Sequence, residues 1–307
     1  MLKLRLTSGF ALASLVILFL WLDSAHPLLG VSGFWIIIPL MFFALGTATE
    51  IVRLVVKAGI SINPTASVFA SALPILSAYL PNLNSFNSQT VQPHCQLSNT
   101  TCVVCGIGLS ISLIFFSQIL VYGRKTHGES IRAVAFSTFV VLYVGTPFAT
   151  LILIRGLGDE SWGLFALLTT VLSVKAGDVG AYLIGNLIGQ VKLCPNVSPG
   201  KTYEGAIGGA VFSVMCSLFC FNWLSRGSSL HSDLPLWVPI LFGIVCSLFG
   251  ILGDLSESLI KRELGVKDSG FLFPGMGGVW DVTDSIMGAA TPAYLALIFA
   301  QEFGRSA

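Results

Sequence analysis

The chain has 307 residues, 54% of them hydrophobic and 10% charged, with a formal net charge of +1. Its mean hydropathy of +0.85 exceeds what a soluble domain of this length buries in one core, so an integral membrane protein is expected. The near-neutral balance, with no lysine- or arginine-rich tract, excludes nucleic acid and other polyanions as partners.

The N-terminus carries Lys3 and Arg5 ahead of an apolar run to Leu22, the first two parts of a signal peptide. Ala25-His-Pro27 is a poor cleavage site and further apolar runs follow, so an uncleaved first helix is expected. A span needs about 20 mostly apolar residues. Candidates fall at 6–22, 29–48, 62–80, 102–122, 132–154, 161–176, 206–224, 235–253 and 285–302, which makes an all-α, polytopic protein with about nine transmembrane helices.

Within 49–60 the polar residues Glu50, Arg53 and Lys57 alternate with aliphatics. That spacing suits either a helix lying at the membrane interface or a solvated extension of the second span. No Asp, Glu, Lys or Arg occurs from Ala58 to Gly123, and the 81–101 connection shows only in its Asn, Ser, Gln and Pro content. His94, Cys95, Cys102 and Cys105 form an incomplete zinc set, and a Cys95–Cys102 disulfide is the alternative there. Cys216, Cys220 and Cys246 sit in apolar runs and read as small core residues.

Cytoplasmic loops collect Lys and Arg. With the N-terminus inside, 13 of the 16 basic residues fall on the cytoplasmic side and only Arg155, Arg226 and Arg305 on the other. Both polar loops, 177–205 and 254–284, then share the cytoplasmic face. The apolar Val179–Val191 stretch is too short for an ordinary span and is expected to be a half-helix or membrane-edge segment buried against protein.

Two constellations carry chemistry. The first runs from Asp178-Val-Gly-Ala-Tyr through Lys192 to Ser198-Pro-Gly-Lys201-Thr202-Tyr-Glu204-Gly205. It is not a P-loop, because Pro195 stands where the first glycine belongs and no strand is expected before it. A glycine turn, hydroxyls and an ammonium ahead of a helix suit an anion, and equally suit plain capping by Ser198 or Thr202 with Glu204 in the first turn.

The second constellation lies between Gly253 and Asp284, where nine charged residues gather: Asp254, Glu257, Lys261, Arg262, Glu263, Lys267, Asp268, Asp281 and Asp284. The glycine-rich Pro274-Gly-Met-Gly-Gly278 interrupts them. Asp281 and Asp284, three apart, share a helix face, and Asp254 joins them if the glycine turn folds the segment back. Oxygen ligands of this kind suit Mg²⁺, which takes one or two carboxylates plus phosphates and water. Lys261, Arg262 and Lys267 are then placed to neutralise phosphate, while a salt-bridged loop is the plainer reading.

Ser258-Leu-Ile-Lys-Arg262, Lys267-Asp268 and Phe273-Pro-Gly-Met-Gly-Gly-Val-Trp-Asp281-Val-Thr-Asp284 together resemble the signature of the phosphatidate cytidylyltransferase (CDP-diacylglycerol synthase) family. Asp178-x-x-Ala-Tyr and Ser198-Pro-Gly-Lys-Thr-Tyr-Glu-Gly205 resemble that family's other recurring segment, in the same order. The likeness covers residues 175–290. It departs at Met276, where the family usually has His, and at Val282, where it usually has Arg.

The resemblance implies transfer of a cytidylyl group from CTP to phosphatidate, giving CDP-diacylglycerol and pyrophosphate. On that reading 1–160 holds N-terminal transmembrane helices and 161–307 the catalytic region, in a multi-pass bacterial inner-membrane protein in contact with membrane lipids. Asp254, Asp281, Lys201 and Lys261 are the expected catalytic residues, and Asp254, Asp281 and Asp284 the expected ligands of Mg²⁺, with K⁺ as an accompanying cation. Ser198, Thr202, Glu204, Ser258, Arg262, Lys267, Asp268 and Asp178 are the expected substrate contacts. A homodimer is compatible with this reading. The competing classes are a transporter of a phosphorylated or anionic substrate and a nucleotidyltransferase acting on another lipid phosphate.

Overall fold

The computed structural model describes residues 2–26, 33–84, 98–122, 128–224, 234–273, 275 and 277–306. Its helices are α1 (Leu2–Ala25), α2 (Phe34–Lys57), α3 (Pro64–Asn84), α4 (Asn99–Ile119), α5 (Glu129–Val140), α6 (Thr146–Arg155), α7 (Glu160–Ile188), α8 (Tyr203–Phe219), α9 (Trp237–Glu263) and α10 (Trp280–Ser306). The two short strands among the described residues, β1 (Lys192–Cys194) and β2 (Ser198–Thr202), form an antiparallel hairpin. The chain is thus an all-α, multi-pass integral membrane protein.

Seven helical stretches among the described residues are long and apolar enough to cross a bilayer: Phe34–Lys57, Asn99–Ile119, Glu129–Arg155, Glu160–Ile188, Tyr203–Trp223, Trp237–Glu263 and Trp280–Glu302. The other two expected spans, α1 and α3, are also helical but do not meet both measures. In α1 the described apolar stretch is shorter, Gly9–Ala25. In α3 serines, a threonine and three prolines dilute the apolar residues.

One open reading is decided and one expectation changes. Segment 49–60 extends the second span, one of its two readings, and is no separate interfacial helix: α2 runs unbroken to Lys57 and stops where Gly59 takes a positive φ of 85°. Val179–Val191 is no separate half-helix either, because α7 continues through it to Ile188. Protein covers one face of it, where Gly180 is buried against Phe212 and Gly208 of α8, while Val179, Tyr182, Leu187 and Ile188 are exposed.

The chain forms two compact units, Met1–Leu153 with Leu264–Thr283, and Ile154–Glu263 with Asp284–Ala307. It passes between them three times, inside α6, at the end of α9 and inside α10.

In the first unit, Ala70, Ile114 and Val141 form a fully buried cluster joined by Leu113 and Val134. Bilayer helices gain little from mutual apolar burial and depend on close approach and interhelical hydrogen bonds. Ser110 Oγ accordingly donates to Ala70 O at 2.7 Å, and the Ser67 and Ser137 hydroxyls lie 2.8 Å apart. The uncharged 58–123 region therefore supplies two packed helices. Between α5 and α6 a π-turn spans Val141–Gly145, just before Pro147. Proline cannot donate a backbone hydrogen bond, and the wider turn absorbs that loss without ending the rod.

The second unit has an aromatic core in which Trp162, Phe165, Phe221 and Phe242 follow one another at ring separations of 5.0, 5.2 and 5.7 Å. Ser213 and Ser217 of α8 donate to the carbonyls of Gly243 and Pro239 on α9 at 2.8 and 2.6 Å. Cys220 and Cys246 are buried in this unit, in keeping with their reading as small core residues. His94 and Cys95 lie outside the described residues, while Cys102 and Cys105 belong to the start of α4.

Candidate functional site

The second unit concentrates polar side chains at one place. Helical spacing pairs them along each rod: Lys175 with Asp178 on α7, Asp254 with Glu257 and Glu257 with Lys261 on α9, and Asp284 beside Ser285 on α10. Lys175 Nζ lies 3.1 Å from Asp178 Oδ2 and donates to Ser285 Oγ at 2.9 Å, and Ser285 in turn donates to Asp178 at 2.8 Å. Lys261 Nζ lies 3.0 Å from Glu257 Oε1.

Lys201 arrives from the hairpin. A turn in which Val197 N–H donates to Cys194 O reverses the chain. Glu204 accepts from the amides of Gln190 and Val191 at 3.1 and 3.2 Å, tying the exit of α7 to the first turn of α8. Thr202 caps α8 by accepting from Gly205 N–H at 3.1 Å. So anchored, Lys201 reaches α9, with Nζ 2.7 Å from Asp254 Oδ2 and 3.3 Å from Ile251 O. The plain capping reading of Thr202 and Glu204 is the one the hydrogen bonds realise, and Ser198-Pro-Gly-Lys201-Thr202 is a strand with another strand before it. Removing the cap with Thr202→Ala is expected to cost about 1 kcal/mol, a fall of roughly 2–4 °C in detergent melting. An unchanged melting temperature would show that the hairpin is held without it.

Asp254, Glu257 and Asp284 each offer a carboxylate oxygen, and these oxygens lie within 4.8 Å of one another. Glu257 is 3% exposed and Asp284 7%. What lets α9 and α10 come this close is glycine: a Cβ on Gly253 would stand 3.0 Å from Gly288 Cα and collide with Asp284 O. Hard oxygen donors, shielded and converging, fit a divalent cation of the Mg²⁺ type. The charges also fit. Four carboxylates, Asp178, Asp254, Glu257 and Asp284, face three lysines, Lys175, Lys201 and Lys261, leaving an excess negative charge that a cation relieves.

Asp281 belongs to the first unit, one turn ahead of Asp284 along α10. Its Oδ2 accepts from Gly278 N–H at 2.7 Å and from Ser269 N–H at 3.3 Å, and lies 2.8 Å from the Ser269 hydroxyl oxygen. Lys267 and Asp268 are exposed on the loop before it, and Arg262 is exposed at the end of α9. Ser198 and Ser258 are half-buried, on β2 and α9. Met276 lies outside the described residues. Val282 is 7% exposed, so this position faces protein and an apolar side chain suits it.

Sequence reasoning gave no role to Glu257, Lys175, Ser285 or Glu50. The signal for Glu257 was its spacing, three residues after Asp254 and four before Lys261. Glu50 was visible as a lone acid in an aliphatic stretch, whereas nothing local marked Ser285 as a partner of Lys175.

Fold and site together define a polytopic membrane protein with a shielded acidic cluster ringed by lysines. Residues 3–300 match the model of the Cytidylyltransferase family, and the chain belongs to that family. It is 40% identical over 153 residues to a phosphatidate cytidylyltransferase of Staphylococcus saprophyticus, a match covering 50% of this chain and 55% of the relative. It is 41% identical over 165 residues to one of Haemophilus influenzae, covering 54% and 56%, and 42% identical over 153 residues to one of Staphylococcus epidermidis, covering 50% and 55%. The chain spans about half the length of the curated relatives it matches.

Proposed function

We propose that the chain transfers the cytidylyl group of CTP to phosphatidate, forming CDP-diacylglycerol and pyrophosphate. The observation that carries this reading is the Asp254, Glu257 and Asp284 cluster beside Lys201 and Lys261, in a chain of the cytidylyltransferase family. A phosphate oxygen of phosphatidate attacks the α-phosphorus of CTP, the bond from that phosphorus to the bridging oxygen breaks, and pyrophosphate leaves with the bonding pair. Both substrates are anionic and no protein nucleophile is needed, so the chain's work is positioning and charge compensation.

Mg²⁺ held by Asp254, Glu257 and Asp284 would neutralise charge on the reacting phosphate oxygens, and Asp281 keeps the catalytic role that the family resemblance implies. Lys201 and Lys261, each already within ion-pair distance of a cluster carboxylate, are placed to pass to substrate phosphates, with Arg262 beyond them. Ser198 and Ser258 orient phosphate oxygens, and Asp178 holds Lys175 in place. Thr202 and Glu204 act indirectly by fixing the hairpin that carries Lys201. A site among bilayer helices lets the diacylglycerol tails remain in lipid while CTP enters from water. The excess of Lys and Arg in the loops assigned to the cytoplasmic side supports access from that face of a bacterial inner membrane.

Purified protein supplied with CTP, phosphatidate and Mg²⁺ is expected to release pyrophosphate and form CDP-diacylglycerol, and Asp281→Asn to lose that product while remaining folded in detergent. Turnover with a different lipid phosphate but not phosphatidate would change the acceptor. No pyrophosphate with any lipid would overturn the reading.

A further inference from the structure

The first unit buries an acid that the transfer chemistry does not touch. Glu50 of α2 is 8% exposed, and both of its carboxylate oxygens accept hydrogen bonds from a segment 219 to 230 residues further along the chain. Oε1 accepts from Val279 N–H at 2.9 Å, and Oε2 accepts from Trp280 N–H at 2.9 Å and from the Ser269 hydroxyl at 2.7 Å. The approach leaves no room for side chains. A Cβ on Gly278 would stand 2.6 Å from Glu50 Oε1, and one on Gly270 would stand 3.0 Å from Glu50 Cδ.

Asp281 uses the same anchor points. It accepts from Gly278 N–H at 2.7 Å, and its Oδ2 lies 2.8 Å from the Ser269 oxygen that also faces Glu50. Three successive amides at the start of α10, those of residues 278, 279 and 280, therefore point at two carboxylates with one serine hydroxyl between them. A helix leaves its first N–H groups without internal partners, and a local Ser, Thr or Asp ordinarily satisfies them. Here the partner is an ionisable residue carried by a membrane-spanning helix, where burial of charge is costly and usually kept for function.

We infer that Glu50 is a positioning residue: by holding the amino end of α10 and the Ser269 hydroxyl, it fixes the carboxylate of Asp281 in the orientation that cytidylyl transfer requires. The inference rests on the transfer reading for the role of Asp281. Glu50→Gln keeps the size of the side chain but has only one acceptor oxygen, and its amide turns a donor toward backbone N–H groups. The amino end of α10 and the Ser269 hydroxyl are then held less firmly, and with them the Gly278 N–H and Ser269 groups that engage Asp281.

The test compares the full chain and E50Q in detergent by three measurements: hydrogen–deuterium exchange over residues 269–283, Mn²⁺ binding by electron paramagnetic resonance, and steady-state turnover. In E50Q the segment is expected to exchange about tenfold faster, the Mn²⁺ half-saturation to rise about tenfold and kcat to fall tenfold or more. KM for CTP is expected to stay within about twofold. A structural anchor alone would move the exchange and leave the other two, and that result overturns the inference. So does parent-like behaviour in all three, or a parent chain that binds no Mn²⁺. A parent that binds Mn²⁺ but makes no CDP-diacylglycerol refutes the transfer reading, and the Mn²⁺ shift then decides about Glu50. If E50Q does not fold, Ser269→Ala removes the shared hydroxyl alone and is expected to move all three in the same direction, less far.

Discussion

Replacing Asp254 with Asn is expected to lower CDP-diacylglycerol formation by at least about a thousandfold while leaving the helices intact. The side chain keeps its shape, so the expected effect is electrostatic. Asp254 is one of four carboxylates facing three lysines, and without its charge the two sides balance. A cluster with no excess negative charge has lost its attraction for a divalent cation. Lys201, freed from its partner at 2.7 Å, makes matters worse by adding unpaired positive charge where the cation would sit. Asp254 is partly solvated, so its ion pair contributes less than about 1 kcal/mol to folding. Pyrophosphate release and detergent melting, measured on the same sample, separate the two effects. Parent-like turnover in Asp254→Asn would remove the cluster from the chemistry.

Much of this was legible in the chain before folding. The rods follow from runs of apolar residues long enough to span hydrocarbon, and the acids at 254, 281 and 284 stood out because charge is scarce elsewhere. What stayed hidden was pairing across rods. Nothing near Lys201 indicates that it meets Asp254, because a hairpin of two short strands, too brief to register as a pattern, delivers it. Spacing along α10 put Asp281 and Asp284 on one face, yet the acid whose oxygens approach Asp254 and Asp284 is Glu257, while Asp281 is engaged by Gly278 and Ser269. Glu50 was equally opaque, since its partners lie more than two hundred positions away and two of them are backbone amides, which every sequence contains. The apolar tail of α7 was misjudged for another reason. A mostly apolar stretch of 13 residues looks too short for a span only when the preceding polar pair, Lys175 and Asp178, is taken as an end. On a 29-residue helix those two neutralise each other within one turn and the rod continues.

Gly253→Ala is expected to reduce turnover about a hundredfold, although the substitution touches no charge. The added methyl would stand 3.0 Å from Gly288 Cα and closer still to the carbonyl of Asp284. Both are backbone atoms of α10, so no side-chain rotation relieves them and the helices must part by about 1 Å to reach ordinary carbon contact. Asp284 rides on the helix that moves, whereas Asp254 and Glu257 ride on the one that stays, so the convergence of their oxygens within 4.8 Å is what the shift spoils. Overpacking of this kind also destabilises by roughly 1–3 kcal/mol, partly offset by about 1 kcal/mol from replacing a helical glycine. Gly250, one turn earlier on α9, is the matched control. A Cβ there meets Val174 at 3.5 Å and Ser285 at 3.8 Å, ordinary contacts, so Gly250→Ala is expected to keep parent turnover and melt no lower. Equal loss in both variants would mean that α9 tolerates no alanine for reasons unrelated to the cluster. A loss confined to position 253, accompanied by weaker Mn²⁺ binding, ties the glycine contact to the placement of Asp284.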